Sequence, residues 1–257
     1  MTRRTENLII LSRRFVNDEY FVLDLQTDVE DLMILPGQFV QVKVEGSEST
    51  FLRRPISVYD VNPADGTISM LIKVVGDGTR ALSELKKGDS LNIIYPLGNS
   101  FTLPAKEKSV VLVGGGVGVA PLYLLGRKIK EIGGDPLFIL GYRSDNQIID
   151  YDRFLKLGRV MITTEDGSMG HHGMVTQHPL LTDGGYDMIY CCGPDPMMKS
   201  VARIAMSKNI KCEVSLENMM ACGIGVCLCC VADTVNGNVC TCTEGPVFNI
   251  KDLKWQI

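Results

Sequence analysis

The sequence predicts a β plus α/β protein: an antiparallel β-barrel over residues 1–102, an open parallel α/β domain over 103–212, and a small cysteine-bearing segment over 213–257. Three observations carry this reading. Between residues 5 and 102, short β-rich runs alternate with Gly, Pro and Asp, and no long helical period interrupts them. From Lys108 onward the rhythm becomes strand, glycine turn, helix. After Glu213 the composition turns to cysteine, glycine and methionine, with Cys222, Cys227, Cys230 and Cys242 separated by four, two and eleven residues.

The barrel strands are read at Leu8–Ser12, Tyr20–Leu25, Gln38–Val44, Ile56–Val61, Thr67–Val74 and Ser90–Ile94, each bounded by turn-forming residues. The only helix expected among them is Arg80–Leu85, with Gly76-Asp-Gly-Thr79 as a turn ahead of it. In the second domain, the strand Val110–Val113 leads through Gly114-Gly-Gly-Val-Gly118 into a helix over Ala120–Ile132. Apolar strands follow at Leu137–Gly141, Val160–Thr163 and Asp187–Cys191, spaced by stretches of helix length. That alternation places the strands parallel, with helices on the sheet faces.

At 257 residues with 45% hydrophobic content the chain can bury a substantial core. Its net charge of −4, with basic pairs scattered at Arg3-Arg4, Arg13-Arg14 and Arg53-Arg54, argues against a nucleic-acid-binding face. The apolar run Leu8–Leu11 is too short for a secretion signal or a membrane span. Nine cysteines, an odd number, in a chain of this length fit a reducing, cytoplasmic location better than a disulfide framework.

The cysteine spacing is the ligand rhythm of a plant-type 2Fe-2S cluster. Gly223 and Gly225 let the first loop fold tightly around an anionic centre. A zinc knuckle is the alternative, but such sites favour two matched Cys-x-x-Cys pairs, and here there is one short pair with two outliers. Cys229 and Cys240 stand beside the expected ligands and could replace Cys230 or Cys242.

Other segments suit phosphates and ring systems. Gly114, Gly115, Gly116 and Gly118 open a helix, where bare amides and a positive helix end can receive a phosphate; tight strand-to-helix packing is the other reading. Cys192-Gly193-Pro194 follows a strand, at the carboxyl edge where open α/β sheets bind ligands, although a lone cysteine there can be a small buried hydrophobe. Arg54-Pro55-Ile56-Ser57 sets a guanidinium that can bridge a pyrophosphate near a hydroxyl that can meet a ring nitrogen. Gly78-Thr79 offers a second helix start. Thr163-Thr-Glu-Asp-Gly-Ser168 carries Glu165 and Asp166 and no arginine, which predicts NAD over NADP. His171, His172 and His178 are read as a solvated loop, Met197-Met198 and Met219-Met220 as packing beside cofactors.

Taken in order, Arg54-Pro-Ile-Ser57, Gly78-Thr79, Gly114-Gly-Gly-Val-Gly118, Cys192-Gly-Pro and the C-terminal cysteines resemble the ferredoxin reductase-type flavoproteins. Within them, Glu217-Asn-Met-Met-Ala-Cys-Gly-Ile-Gly-Val-Cys227 and Cys242-Thr-Glu-Gly-Pro-Val-Phe248 resemble the electron-transfer subunit of the two-subunit, NAD-linked dihydroorotate dehydrogenases. The resemblance spans nearly the whole chain. It implies FAD held in the barrel by Arg54, Pro55, Ile56, Ser57, by Leu71, Ile72, Lys73 and by Gly78 and Thr79. It implies NAD at Gly114, Gly115, Gly116, Gly118, Cys192 and Gly193, and a cluster on Cys222, Cys227, Cys230 and Cys242.

The resemblance further implies a relay in pyrimidine biosynthesis. Electrons would leave dihydroorotate in an FMN-containing catalytic partner, cross the cluster singly, collect on FAD and pass to NAD, in a heterotetramer with two subunits of each kind. The apolar residues Met219, Met220, Ile224, Val226 and Leu228 would face that partner, or else wrap the cluster. Three readings compete: a reductase subunit of a sulfhydrogenase or of a bifurcating ferredoxin:NADP oxidoreductase, a single-chain oxygenase reductase, and a zinc-stabilised adaptor without redox function.

Overall fold

Alternation of apolar and polar residues builds the barrel. The structure, a computed structural model, describes residues 3–29 and 32–255. The barrel strands are β1 (Arg4–Phe15), β2 (Tyr20–Gln26), β3 (Phe39–Val42), β4 (Arg54–Asn62) and β5 (Thr67–Lys73); helix α1 (Asp77–Glu84) then leads to β6 (Ser90–Leu97). They close antiparallel in the order β1-β2-β5-β4-β3-β6. In β6 the side chains of Leu91, Ile93, Tyr95 and Leu97 are buried and those between them are not, the period of two expected of a strand with one apolar face. Helix α1 starts three residues before the expected Arg80. Thr79 lies inside its first turn, where its hydroxyl accepts from Val75 N (2.8 Å) and Gly76 N (3.1 Å), satisfying amides that a helix start leaves bare.

The second sheet comprises β7 (Val110–Gly115), β8 (Leu137–Tyr142), β9 (Arg159–Thr164), β10 (His171–His172), β11 (Met188–Cys192) and β12 (Lys211–Ser215). Helices α2 (Val119–Glu131), α3 (Tyr151–Leu155), α4 (Pro179–Asp183) and α5 (Asp195–Ser207) connect them. The strand order β10-β9-β8-β7-β11-β12 is parallel throughout and reverses direction between β7 and β11. Both faces are covered: Val110, Leu112, Phe138 and Leu140 pack toward α2, while Val111, Val113, Ile139 and Ile189 share a core with α5. The histidines depart from a uniformly solvated loop, since His178 is buried and its Nδ1 accepts from Leu180 N to cap α4.

The C-terminal segment adds β13 (Val231–Thr234), β14 (Gly237–Cys240), α6 (Thr241–Glu244) and β15 (Val247–Asn249). Strands β13 and β14 form a hairpin, whereas β15 joins the large sheet antiparallel to β12, pairing Val214 with Phe248. Asn99, just past β6, donates its backbone N–H to Gly245 O (2.5 Å) and its side chain to Glu244 O (2.7 Å). The segment is thus clasped between barrel and sheet edge.

A polar clamp joins the barrel to the sheet. Asp150 accepts two bonds from Arg14 (2.8 and 2.7 Å) and one from the Tyr59 hydroxyl (2.9 Å). Burial opposes ionisation of Asp150, but the bonds from Arg14 and Tyr59 prevail and hold its carboxyl below the ordinary value. Asp150 has φ 44°, a left-handed backbone that asparagine also tolerates. Asp150→Asn is therefore expected to cost about 1–3 kcal/mol, the scale of a lost charged hydrogen bond, and to lower the melting temperature measured by calorimetry. A depressed folded pKa stabilises above the unfolded value of about 3.9 and loses that contribution as pH falls through the folded value. The gap between variant and wild type should stay constant near neutrality and narrow below about pH 4.

Candidate functional site

Two cavities lie between barrel and sheet and share Lys73. The first, about 300 Å³, has walls from both and from the C-terminal segment. The barrel supplies Phe39, Arg54, Pro55, Ile56, Ser57, Leu71, Ile72, Lys73 and Thr79; the turn before α2 supplies Val117 and its first turn Ala120; the C-terminal part supplies Ser215–Asn218, Met220 and Pro246. The floor is apolar, with a few polar groups at its edge, as a planar ring system requires. Arg54, Val75 and Thr79 also line an adjoining polar pocket with Ser49, Thr50 and Gly78, so Arg54 stands where the two spaces connect. Its guanidinium is committed to one carbonyl, Leu52 O (3.0 Å), which leaves donors free for a phosphate. A hydrophobic slot continuous with a polar pocket under an arginine fits a flavin with its pyrophosphate tail.

Behind the wall of that cavity, Cys192 Sγ donates to Glu217 Oε1 at 3.8 Å. Burial, reinforced by Glu217, pushes the Cys192 thiol far up. Glu217 opens onto the cavity, yet the walls around it raise its carboxyl. The pair can hold a proton beside the cavity.

The second cavity, about 350 Å³, lies at the reversal point between β7 and β11, where open α/β sheets bind ligands. Gly115, Gly116, Pro194 and Met197 form its inner wall; Tyr142, Arg143, Thr163 and Glu165 form the outer one. The buried Thr163 Oγ1, at the wall of this cavity, has no hydrogen-bond partner among the described residues, as expected of a polar group that faces a ligand site. Lys73 lines both cavities. Burial alone would lower its pKa, but Glu19, 3.0 Å from Nζ, and Tyr20 more than compensate and raise it. Gln147 also donates to Glu19, tying this cation to the sheet domain.

The predicted cysteines come together in the loop before β13 and at α6. Ile224 N, Val226 N and Cys227 N each approach Cys222 Sγ at 3.4 Å; Gly225 N donates to Cys242 Sγ at 3.1 Å and Cys242 N to Cys230 Sγ at 3.4 Å. Despite opposing burial, these donors hold the Cys222 thiol down to about 6. Burial and the Cys230 thiol push Cys242 up to about 12. Cys222 lies beside Cys227, and Cys230 beside both Cys242 and Cys240. Among the described residues no three His, Cys, Asp or Glu side chains converge as around a single ion. These cysteines, ringed by amide donors, fit a two-iron centre. Cys229 is exposed, its thiol on Met219 O (3.9 Å), whereas Cys240 interacts with Cys230.

Several expected site residues serve packing instead of lining a cavity. A Cβ on Gly114 would press on Val119, Leu122 and Leu140, and one on Gly118 would lie 2.5 Å from Cys192 O, so both allow β7, α2 and β11 to approach. Cys192 and Gly193 sit behind the wall. Asp166 is turned to Ser168, leaving Glu165 alone to face the second cavity. The segment has no arginine, but Arg143 arrives there from the end of β8. Met198 packs in the core while Met197 meets the cavity. Of the apolar set around the cysteines, Met220 is buried, while Met219, Val226 and Leu228 are 86%, 76% and 66% exposed. Arg143, Tyr142 and Gln41 carry no local signal in the sequence.

Residues 11–101 match the oxidoreductase FAD-binding domain, and residues 217–254 match the iron-sulfur cluster binding domain of dihydroorotate dehydrogenase B. The chain is 36% identical over 259 residues to the dihydroorotate dehydrogenase B (NAD(+)) electron transfer subunit of Shouchella clausii, covering 98% of this chain and 99% of that protein. It is 43% identical over 218 residues to the corresponding subunit of Caldanaerobacter subterraneus subsp. tengcongensis, covering 83% and 84%. Among solved structures, an NADH-dependent reduced ferredoxin-NADP oxidoreductase studied for flavin-based electron bifurcation superposes with a TM-score of 0.87 at 31% identity, over 97% of this chain and 90% of that one. The Amycolatopsis cytochrome P450 reductase shares the fold, with a TM-score of 0.70 at 22% identity over 81% and 67%. On this footing the chain belongs to the family of electron transfer subunits of NAD-linked dihydroorotate dehydrogenase B.

Proposed function

We propose that this chain takes electrons from an FMN-containing, dihydroorotate-oxidising partner and delivers them to NAD, working in the cytoplasm within a heterotetramer of two subunits of each kind. The observation that carries the reading is the shared wall: Met220 and Pro246 line the first cavity, and Met220 packs in one small core with Cys230 and Cys242. Bound FAD supplies the exchange between one-electron and two-electron traffic. Everything else falls to side chains of this chain. Arg54 receives the pyrophosphate, with Gly78 and the Thr79 turn below it. Pro55, Ile56, Leu71 and Ile72 would form an apolar bed for the ring, Ser57 would offer it a hydroxyl, and Lys73, which lines both cavities, would serve ring and nucleotide alike. Gly115 and Gly116 face the nucleotide directly; Gly114, Gly118, Cys192 and Gly193 keep that edge thin enough for the nucleotide to reach the flavin.

The four cysteines Cys222, Cys227, Cys230 and Cys242 hold the cluster, and their burial gives it a direction. Cys230 and Cys242 are sealed against the flavin side, whereas Cys227 is exposed among Val226, Leu228 and Met219. The exposed side, with its apolar rim, is the one that a partner protein would cover. No helix among the described residues is long and apolar enough to cross a membrane. The fold likeness to the bifurcating oxidoreductase leaves the partner as the discriminating element.

Purified alone, the chain should oxidise NADH with artificial acceptors yet reduce no NAD from dihydroorotate until the catalytic subunit is added; dihydroorotate-dependent activity without a second polypeptide would overturn the reading. Arg54→Ala should purify with little FAD, because removing a charge-assisted partner of a buried phosphate costs about 2–5 kcal/mol; stoichiometric flavin at micromolar protein would refute the clamp. Serine at any of the four ligand positions should abolish the cluster's electron paramagnetic signal, while Cys229→Ser retains it. Glu165→Ala should narrow the preference for NAD over NADP by about tenfold, the worth of one hydrogen bond to a charged group, in the ratio of kcat/KM values.

A further inference from the structure

Strand β3 turns its two faces toward different parts of the molecule. Val40 and Val42 point into the barrel core, while Phe39 and Gln41, on the opposite side of the pleat, are covered by the cysteine segment. Gln41 is completely buried, and neither Nε2 nor Oε1 has a hydrogen-bond partner among the described residues. A buried primary amide left unsatisfied is costly and rare in a folded protein. Its surroundings show what it faces. A Cβ built on Gly223 would lie 2.5 Å from Gln41 Nε2 and 2.8 Å from Cδ, so the amide rests against the backbone immediately after Cys222. Gly223, at φ +69°, has neither the side chain nor the backbone preference that would keep the loop off it. Around the same loop, the N–H groups of Ile224, Gly225, Val226, Cys227 and Cys242 are already directed at cysteine sulfurs. Gln41 is a side-chain donor at this loop with no acceptor.

We propose that Gln41 is a positioning residue for the iron–sulfur centre, its Nε2 donating a hydrogen bond to a cysteinate or sulfide sulfur on the Cys222 side. This rests on the assignment of Cys222, Cys227, Cys230 and Cys242 as ligands. Thiolate and sulfide sulfurs only accept, which fixes the amide with its NH₂ toward the centre. One-electron reduction adds negative charge to those sulfurs. A donor therefore stabilises the reduced form more than the oxidised form and raises the reduction potential. In this way the barrel, which the ligand rhythm does not include, sets how readily the centre accepts an electron.

The test is Gln41→Met in the full chain carrying FAD and cluster, a change that keeps the side chain's length and removes the amide's donor and acceptor. Redox titration followed by electron paramagnetic resonance should show the cluster's midpoint potential lowered by about 59 mV, a tenfold change in a one-electron equilibrium, with flavin content and the flavin's own potentials unchanged. A normal signal with an unaltered midpoint would overturn the role of Gln41 while leaving the ligand assignment standing. Absence of any cluster signal in the wild type would remove the ligand assignment itself and the proposal with it. Should the variant fail to fold, pulsed electron paramagnetic resonance on reduced wild-type protein, with ¹⁵N only in glutamine side chains, decides the matter. A weak ¹⁵N coupling is expected, and its absence overturns the proposal.

Discussion

The apolar seam between the barrel and helix α2 sets the relative position of both cavities. One continuous core runs from Tyr20, Val22, Tyr59 and Leu71 of the barrel through Leu122, Tyr123 and Leu125 of α2 to Leu112 and Phe138 of the sheet. Each such side chain contributes about 1.5–3 kcal/mol when fully buried, so the two halves are bound into one body by terms that no surface ion pair matches. Tyr59 packs on Tyr123 with ring centroids 4.6 Å apart, and the Arg153 guanidinium lies 5.2 and 4.7 Å from the two rings. The Asp150 clamp adds direction to this seam. Since the first cavity draws on both sides of it, any slippage would open that cavity and part Lys73 from the second.

The cysteine segment lives under the opposite condition. Its small core consists of Met220, Cys230 and Cys242 packed against Phe39 and Leu97 of the barrel. These residues alone cannot offset the entropy of ordering some forty residues, at about 1–2 kcal/mol each for the backbone, and Leu216, Ala232, Phe248, Ile250 and Leu253 add burial in the core of the large sheet. The segment is held from outside, by β15 on the edge of the large sheet and by Asn99 at Glu244 and Gly245. Ligation of an iron centre would supply the rest, because metal binding and folding are one free energy in such sites. The anchoring residues come from the barrel and the sheet edge, so the segment's fold and its distance from the first cavity are fixed by the same contacts.

What the sequence discloses follows from how local each signal is. The alternation from Ser90, the strand–glycine–helix passage from Val110 and the cysteine rhythm are all written within one stretch of chain; the strand expected over Ser90–Ile94 runs on to Leu97, and the helix expected over Ala120–Ile132 spans Val119–Glu131. Helix α1 is misplaced by three residues because Gly76-Asp-Gly reads as a turn by propensity, and only the tertiary setting reveals that the Thr79 hydroxyl caps it. The strands β12 and β15 are short and choose partners far away in sequence, so no periodicity marks them. Arg143 and Gln41 are hidden for the same reason: one reaches a cavity built by other strands, and the other sits in Gln38-Phe-Val-Gln-Val42, which looks like ordinary strand alternation until the loop at Gly223 is laid across it.

The burial of the four sulfurs is uneven, and the unevenness has a structural origin. Cys230 and Cys242 flank the β13–β14 hairpin, where Thr241 N bonds to Cys230 O and presses both residues toward Phe39. Cys222 and Cys227 belong to a loop of exposed apolar residues, with Leu228 held at φ 56°, a left-handed backbone uncommon for a branched side chain. A free loop would relieve that conformation and turn its apolar side chains inward. This one is prevented by the amides drawn to Cys222 and Cys242 and by Gly223 seated on Gln41. The contacts that ring the sulfurs on the inside thus hold Val226 and Leu228 outward, so the geometry that prepares a metal centre also prepares the apolar rim through which a second protein can approach it.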